Sequence, residues 1–148
     1  PIHPRTLSKL DGIKIPKGIL TIDPLGFLDF SKLEKNDFKY EILTVPGVYE
    51  IPQMIKWKIK SNNYNLFIAL GCVIKGQTYH FEVISNEVTR KLMDLSIDID
   101  KPIGFGVLTC ETLKQATERS DPNKGNKGAE AAKGCVSLMY YPRYRENG

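Results

Sequence analysis

The chain has 148 residues, of which 41% are hydrophobic and 26% are charged, a balance typical of one soluble globular domain. Its net charge of +4 comes from scattered lysines and arginines, and no basic face interleaved with aromatic residues indicates nucleic-acid binding. No apolar run approaches the ~20 residues that span a bilayer, and the first residues lack a signal-peptide core. We therefore expect a cytoplasmic protein that binds neither membranes nor nucleic acids.

β-Rich and helical segments alternate along the chain, an order that predicts a parallel sheet with helices on its faces. In the first half, β-rich runs occupy residues 18–22 and 40–45. The spacing of apolar residues predicts helices over residues 25–35 and 50–59. Each of these strands is thus followed by a helix.

The second half carries the strongest strand signal, a nearly continuous apolar run at residues 65–74 that is typical of a central strand. A long helix is predicted from residue 81 onward, and a fourth strand over residues 103–109. Two further helices are predicted over residues 112–119 and 128–139. The side chains of the last helix expected to face inward are Ala131, Ala132, Cys135, Leu138 and Met139.

No long linker or low-complexity tract divides the chain, so residues 1–148 are predicted to form one domain. The predicted fold class is α/β, a three-layer sandwich with a four-stranded parallel sheet between helices. The cysteines lie far apart in apolar runs, and we expect small buried side chains in a reducing compartment at Cys72, Cys110 and Cys135. Only His3 and His80 are available, so a histidine-built zinc site is not expected.

Ligands of open α/β sheets bind beyond the carboxyl ends of the strands. Gly76-Gln77-Thr78 stands between a buried strand and a long helix, where a glycine turn and the free amides of a helix start can hold phosphate. Taken alone, such a turn is more often a helix cap. Arg119, in a basic cluster with Lys124 and Lys127, could add a forked charge to the same phosphate, although such arginines are usually solvated.

Two more polar residues lie near predicted strand ends. His80 follows the glycine turn, and an imidazole can take up and release protons near neutral pH, although many histidines only cap or pack. Glu50 could accept hydrogen bonds from a polyol, or could simply be a carboxylate favoured at a helix start. These residues and the glycine turn are predicted to surround one rim of the sheet.

Five motifs, in order along the chain, resemble those of the lumazine synthase family. They are VPGVYEIP at 45–52, ALGCVIKGQTYHF at 69–81, PIGFGVLT at 102–109, QATER at 115–119 and NKGAEAA at 126–132. The similarity extends from about residue 40 to residue 139. It implies a transferase of riboflavin biosynthesis that condenses 5-amino-6-(D-ribitylamino)uracil with 3,4-dihydroxy-2-butanone 4-phosphate. The products would be 6,7-dimethyl-8-ribityllumazine, phosphate and water, formed through an imine without a metal or redox cofactor.

The resemblance also implies roles for individual residues. The phosphate would be held by Gly76, Gln77, Thr78 and Arg119. The ribityl chain and the pyrimidine would be received by Val48, Tyr49, Glu50, Val73 and Ile74. His80 would move protons, Lys127 would contact the pyrimidine, and Glu130 would orient Arg119 through an ion pair. Phe105 would enter the site from a neighbouring subunit.

The family resemblance implies a flavodoxin-like, oligomeric protein. We expect a pentamer, with a 60-subunit shell as the larger alternative and riboflavin synthase as a candidate partner. Residues 1–17 form an N-terminal extension that could pack on a neighbouring subunit.

One part of the family pattern is absent. The aromatic-asparagine pair (often R-F-N) that ends the family's first strand does not appear, which predicts residues missing between Ile22 and Pro24. Two other interpretations stay open: an archaeal-type riboflavin synthase, or a non-catalytic shell or flavin- or lumazine-binding member of the same fold. The phosphate residues together with His80 argue against the former.

Overall fold

The computed structural model describes residues 19–22, 40–61 and 63–138. Its strands are β1 (Ile19–Ile22), β2 (Tyr40–Leu43), β3 (Leu66–Ile74) and β4 (Ile103–Cys110). Its helices are α1 (Ile51–Ile59), α2 (His80–Asp98), α3 (Leu113–Ser120) and α4 (Lys127–Leu138), and a 3-10 turn at Val48–Glu50 precedes α1. Within these ranges every strand pairing is parallel, and the strands follow the order β2-β1-β3-β4 across the sheet.

The predicted α/β class, with a parallel sheet and flanking helices, is confirmed. Strand and helix ends differ slightly from the sequence-based ranges; β2, for example, ends at Leu43 instead of residue 45. Pro46, three residues beyond this end, has no N–H to donate to a ladder and so prevents the strand from continuing past it. The predicted helix over residues 25–35, the extension 1–17 and the proposed gap before Pro24 lie outside the described residues.

Helices α1 and α2 pack on one face of the sheet. Residues 66–70 of β3 are all buried, as expected for an apolar central strand. Against Phe67 and Ala69, α2 buries Val88, Leu92 and Leu95, whose spacing of four and three residues places them on one side of the helix. Phe67, which is 0% exposed, belongs to this core. The later turns of α2 are thereby fixed against the sheet.

Helices α3 and α4 contact β3 and β4 through a separate set of side chains. A β-carbon on Gly104 would lie 2.6 Å from the carbonyl oxygen of Ala131, so the absence of a side chain lets α4 approach the strand closely. The inward orientation of Ala131, Ala132 and Cys135 is confirmed, but Leu138 is 51% exposed and its predicted inward orientation is wrong. Leu138 instead lines the open cleft along β4, and Met139 is outside the described residues.

The strand order leaves β4 at an edge of the sheet with no further strand in the described ranges. Because the strands are parallel, the segments that follow β2, β3 and β4 emerge at the same end of the sheet. No helix in the described part of the chain is long and apolar enough to cross a membrane.

Candidate active site

The glycine turn after β3 leaves the start of α2 open to solvent. Gly76, Gln77 and Thr78 are exposed, and the N-cap residue of α2 is Tyr79, whose side chain makes no capping hydrogen bond. The alternative interpretation of Thr78 as a helix cap is therefore wrong. The first amide groups of α2 have no side-chain cap, and together with the positive end of the helix dipole they form a surface suited to an anion.

His80 is the first residue of α2 and is exposed. Its side chain does not belong to the described hydrophobic core, which removes the alternative of a packing histidine. At this position only Tyr79 separates His80 from the glycine turn. An imidazole can take up and release protons near neutral pH, so a role for His80 in proton transfer stays a prediction.

The 3-10 turn after β2 contacts β3 and α2 and presents three predicted ligand residues. Tyr49 is 61% exposed, and Glu50 is exposed with its Oε2 close to Gly47, where an added β-carbon would lie 3.2 Å away. Val48, by contrast, is 9% exposed and lies in the core, so only its backbone is placed to touch a ligand. Because Gly47 has no side chain, the Glu50 carboxylate can occupy this position without steric overlap.

The predicted floor lies at the carboxyl end of β3. Val73 is half-buried and packs against the core, whereas Ile74 is 42% exposed. The strand therefore passes from a buried centre to an apolar, accessible end directly before the glycine turn.

The remaining predicted site residues lie elsewhere, in a cleft of about 370 Å³ along the edge strand β4. Phe105, Arg119, Lys127 and Glu130 all line this cleft. None of residues 48–50 or 76–80 lines it. The residues that share this cleft are called the edge group (residues 105, 119, 127 and 130). The others, called the strand-end group (residues 48–50, 73, 74, 76–78 and 80), lie at the end of β3 or on the segments that follow β2 and β3.

The expected ion pair between Arg119 and Glu130 is not formed within the chain. Glu130 Oε2 instead accepts a hydrogen bond from Lys127 Nζ at 2.7 Å. The pair is favoured because the two residues lie three apart on α4 and so project from the same face, whereas Arg119 is on another helix. In the described part of the chain Arg119 makes no ion pair, which leaves its guanidinium available to a ligand.

Two features near these groups were not predicted from the sequence. The Gly125 N–H donates to the Glu118 carbonyl oxygen at 2.9 Å and closes the loop between α3 and α4 on the end of α3. At the strand-end group, Lys75 Nζ lies 3.6 Å from Glu82 Oε1 and 3.9 Å from Glu111 Oε1. A glycine shortly before a helix start is a sequence signal for the closed loop at Gly125. No spacing rule predicts the two carboxylates near Lys75.

The thiols of all three cysteines are free. Cys110 and Cys135 are buried as predicted, whereas Cys72 is only partly buried. Burial raises the pKa of the Cys72 thiol to about 11, and the neighbouring Cys110 adds to the increase. Burial raises the pKa of Cys135 to about 12, against the opposing effect of backbone hydrogen bonds. In the described ranges no three His, Cys, Asp or Glu residues lie together as a metal site.

Together these features define an α/β protein with a parallel sheet and flanking helices. It combines an exposed helix start without a side-chain cap at the strand ends with a cleft at the sheet edge that is lined by Arg119, Lys127 and Glu130. The sequence model of the family described as 6,7-dimethyl-8-ribityllumazine synthase matches residues 27–143. The chain belongs to this family.

Curated relatives carry the same name. The 6,7-dimethyl-8-ribityllumazine synthase of Bartonella henselae is 44% identical over 111 residues, which cover 74% of this chain and 72% of the relative. That of Erythrobacter litoralis is 42% identical over 107 residues, covering 72% and 76%. That of Bartonella tribocorum is 45% identical over 112 residues, covering 73% and 74%.

Proposed function

We infer that the chain is a transferase of riboflavin biosynthesis that condenses 5-amino-6-(D-ribitylamino)uracil with 3,4-dihydroxy-2-butanone 4-phosphate. The products are 6,7-dimethyl-8-ribityllumazine, phosphate and water. Family membership and the names of three relatives that are 42–45% identical support this activity. They do not favour the alternative of a non-catalytic shell or flavin-binding protein.

One observation carries the site proposal: the edge group shares a cleft that no residue of the strand-end group lines. We propose that an active site forms where the strand-end group of one copy meets the edge group of a neighbouring copy. Phe105 is expected to enter the active site of a neighbouring subunit. Arg119 and Lys127 line the same cleft as Phe105, so we propose that they enter that site too. A phosphate at the start of α2 would then be contacted by Arg119 of the neighbour.

Each group has a chemical task in this proposal. The amides at the start of α2 and the Thr78 hydroxyl bind the phosphate, and Arg119 adds a bidentate charge. Glu50, with no hydrogen bond to another described side chain, accepts hydrogen bonds from ribityl hydroxyls. His80 removes and returns protons as the substrate amine attacks the ketone, water leaves to give the imine, and phosphate departs. Holding both substrates in register supplies much of the rate increase.

The surface of α2 supports a homo-oligomer. Besides its buried stripe, this helix region exposes Tyr79, Val83, Met93 and Ile97, which are 71%, 44%, 60% and 72% exposed. Their spacing places them on one side of the helix as two pairs, with Asn86 and Arg90 between the pairs, and such large exposed apolar side chains support an interface there. A pentamer of flavodoxin-like, three-layer subunits is the assembly we propose, with residues 1–17 packing on a neighbour and riboflavin synthase as the candidate partner that takes the product.

A complementation experiment tests the shared site. His80→Ala and Arg119→Ala chains are purified separately, mixed, unfolded and refolded together, and lumazine fluorescence is recorded. If the site is shared, a random mixture restores both residues in about a quarter of the sites, so activity exceeds that of either parent. Activity no higher than the average of the two parents would place each site within one chain. A wild-type protein that forms no lumazine would favour the non-catalytic alternative.

A further inference from the structure

Lys75 lies between two carboxylates at the carboxyl end of the sheet. Its Nζ is 3.6 Å from Glu82 Oε1, in the first turn of α2, and 3.9 Å from Glu111 Oε1, directly after β4. Its backbone N–H donates to the Cys110 carbonyl oxygen at 2.9 Å. Lys75 also immediately precedes Gly76, the first residue of the phosphate turn. One side chain therefore links the turn, the start of α2 and the end of β4.

Glu82 presents an electrostatic problem for that turn. A carboxylate in the first turn of a helix occupies the same positive region that a phosphate would use, and the two negative charges repel each other. The Glu82 side chain is 31% exposed, and its Oε2 is buried without a hydrogen-bond partner in the described ranges. Water therefore screens its charge incompletely. Of the described cations, Lys75 is the one paired with Glu82.

We propose that Lys75 is a positioning residue for the phosphate-bearing substrate, which neutralises Glu82 and so keeps the start of α2 attractive to a dianion. The inference rests on the proposed function, because it takes the phosphate turn as the site of the butanone phosphate. It assigns Lys75 an action through Glu82, without direct contact between Lys75 and the phosphate. The pair at 3.6 Å is partly exposed, so its effect on binding is moderate.

Charge-neutral variants separate this action from direct binding. The variants are Lys75→Gln, Glu82→Gln and the double variant, with Lys60→Gln as a matched control that removes one exposed lysine at the end of α1. Calorimetry gives the Kd for inorganic phosphate, and lumazine fluorescence gives KM for each substrate. Lys75→Gln should raise the phosphate Kd and the butanone phosphate KM about three- to fivefold, with the pyrimidine KM unchanged.

The double variant is decisive because it removes both charges. Its phosphate Kd should return to within about twofold of the wild-type value, an interaction that a double-mutant cycle measures directly. Lys75→Arg should keep the wild-type affinity. A double variant as weak as Lys75→Gln would overturn the inference, because Lys75 would then bind phosphate itself or act only through structure. If the wild-type protein binds phosphate and forms lumazine but Lys75→Gln has the same phosphate Kd, only the inference about Lys75 is overturned. If the wild-type protein forms no lumazine, the proposed function is overturned.

Discussion

Gly125 packs so closely on the end of α3 that a β-carbon there would lie 2.6 Å from the Cα of Arg119. The same β-carbon would be 2.9 Å from the Glu118 carbonyl oxygen, to which the Gly125 N–H donates. Both close atoms belong to the backbone and cannot rotate away. The position of Arg119 in the edge group therefore depends on a residue without a side chain.

Gly125→Ala should consequently displace the end of α3. We expect about 1–3 kcal/mol lower unfolding free energy, from forced overlap with backbone, and a higher KM for the butanone phosphate. Gly134→Ala is the matched control for stability, because nothing lies within 4 Å of its added β-carbon and alanine is favoured within α4. Urea unfolding of both variants checks the result. Equal stability of the Gly125→Ala protein and wild type would show that the loop adapts without cost.

Arg119→Ala should weaken binding of the phosphate substrate selectively. A hydrogen-bonded ion pair contributes ~1.5–3 kcal/mol, so KM for butanone phosphate should increase about ten- to a hundredfold. The pyrimidine should bind as before, because its predicted contacts lie in the strand-end group and at Lys127. Steady-state kinetics with each substrate varied in turn measures both effects. An equal loss of affinity for the pyrimidine would contradict the phosphate assignment.

His80→Ala should lower turnover without abolishing it. Proton transfer by one placed side chain contributes ~10²–10⁴-fold, and we expect the low end because binding in register survives the substitution. His80→Gln, which keeps a polar side chain of similar reach, should be equally slow if proton transfer is the role. Lumazine formation at saturating substrate concentrations measures turnover. Complete loss of activity in a correctly assembled oligomer would indicate another function for His80.

Much of the fold could be predicted because buried strands and amphipathic helices follow from local patterns. The apolar run of β3 and the alternation of elements need no knowledge of neighbours. The exposure of Leu138 could not be predicted in this way. The sequence pattern of an apolar helix residue is the same whether the side chain faces its own sheet or another copy of the chain. The same ambiguity affects Phe105, which is 43% exposed at the open edge.

The residues of the site could be predicted more readily than their pairing. Motifs identified Arg119, Lys127 and Glu130, but ion-pair partners depend on distances between elements. Glu130 pairs with Lys127 because the two share one face of α4. The division into two groups is seen only in the structure, where the edge group lines a cleft along β4 that no strand-end residue lines.

Two thiols should make the fold less stable at alkaline pH. Burial raises the pKa of Cys72 from its ordinary value of 9.0 to about 11 and that of Cys135 to about 12. A thiol whose pKa is higher in the folded than in the unfolded state stabilises the fold fully below pH 9. This stabilisation is lost as the pH rises from about 9 through the folded-state values, because the unfolded chain releases the proton first.

The unfolding free energy should therefore decrease between pH 9 and about 11. Cys72→Ala should reduce the steepness of that decrease, since alanine has no proton to lose, and Cys135→Ala should do the same towards pH 12. Urea unfolding at one-unit pH intervals measures each slope, and comparison with wild type removes the common effect of titrating tyrosines and lysines. A Cys72→Ala protein whose stability decreases as steeply as wild type would show that this thiol ionises with equal ease in both states.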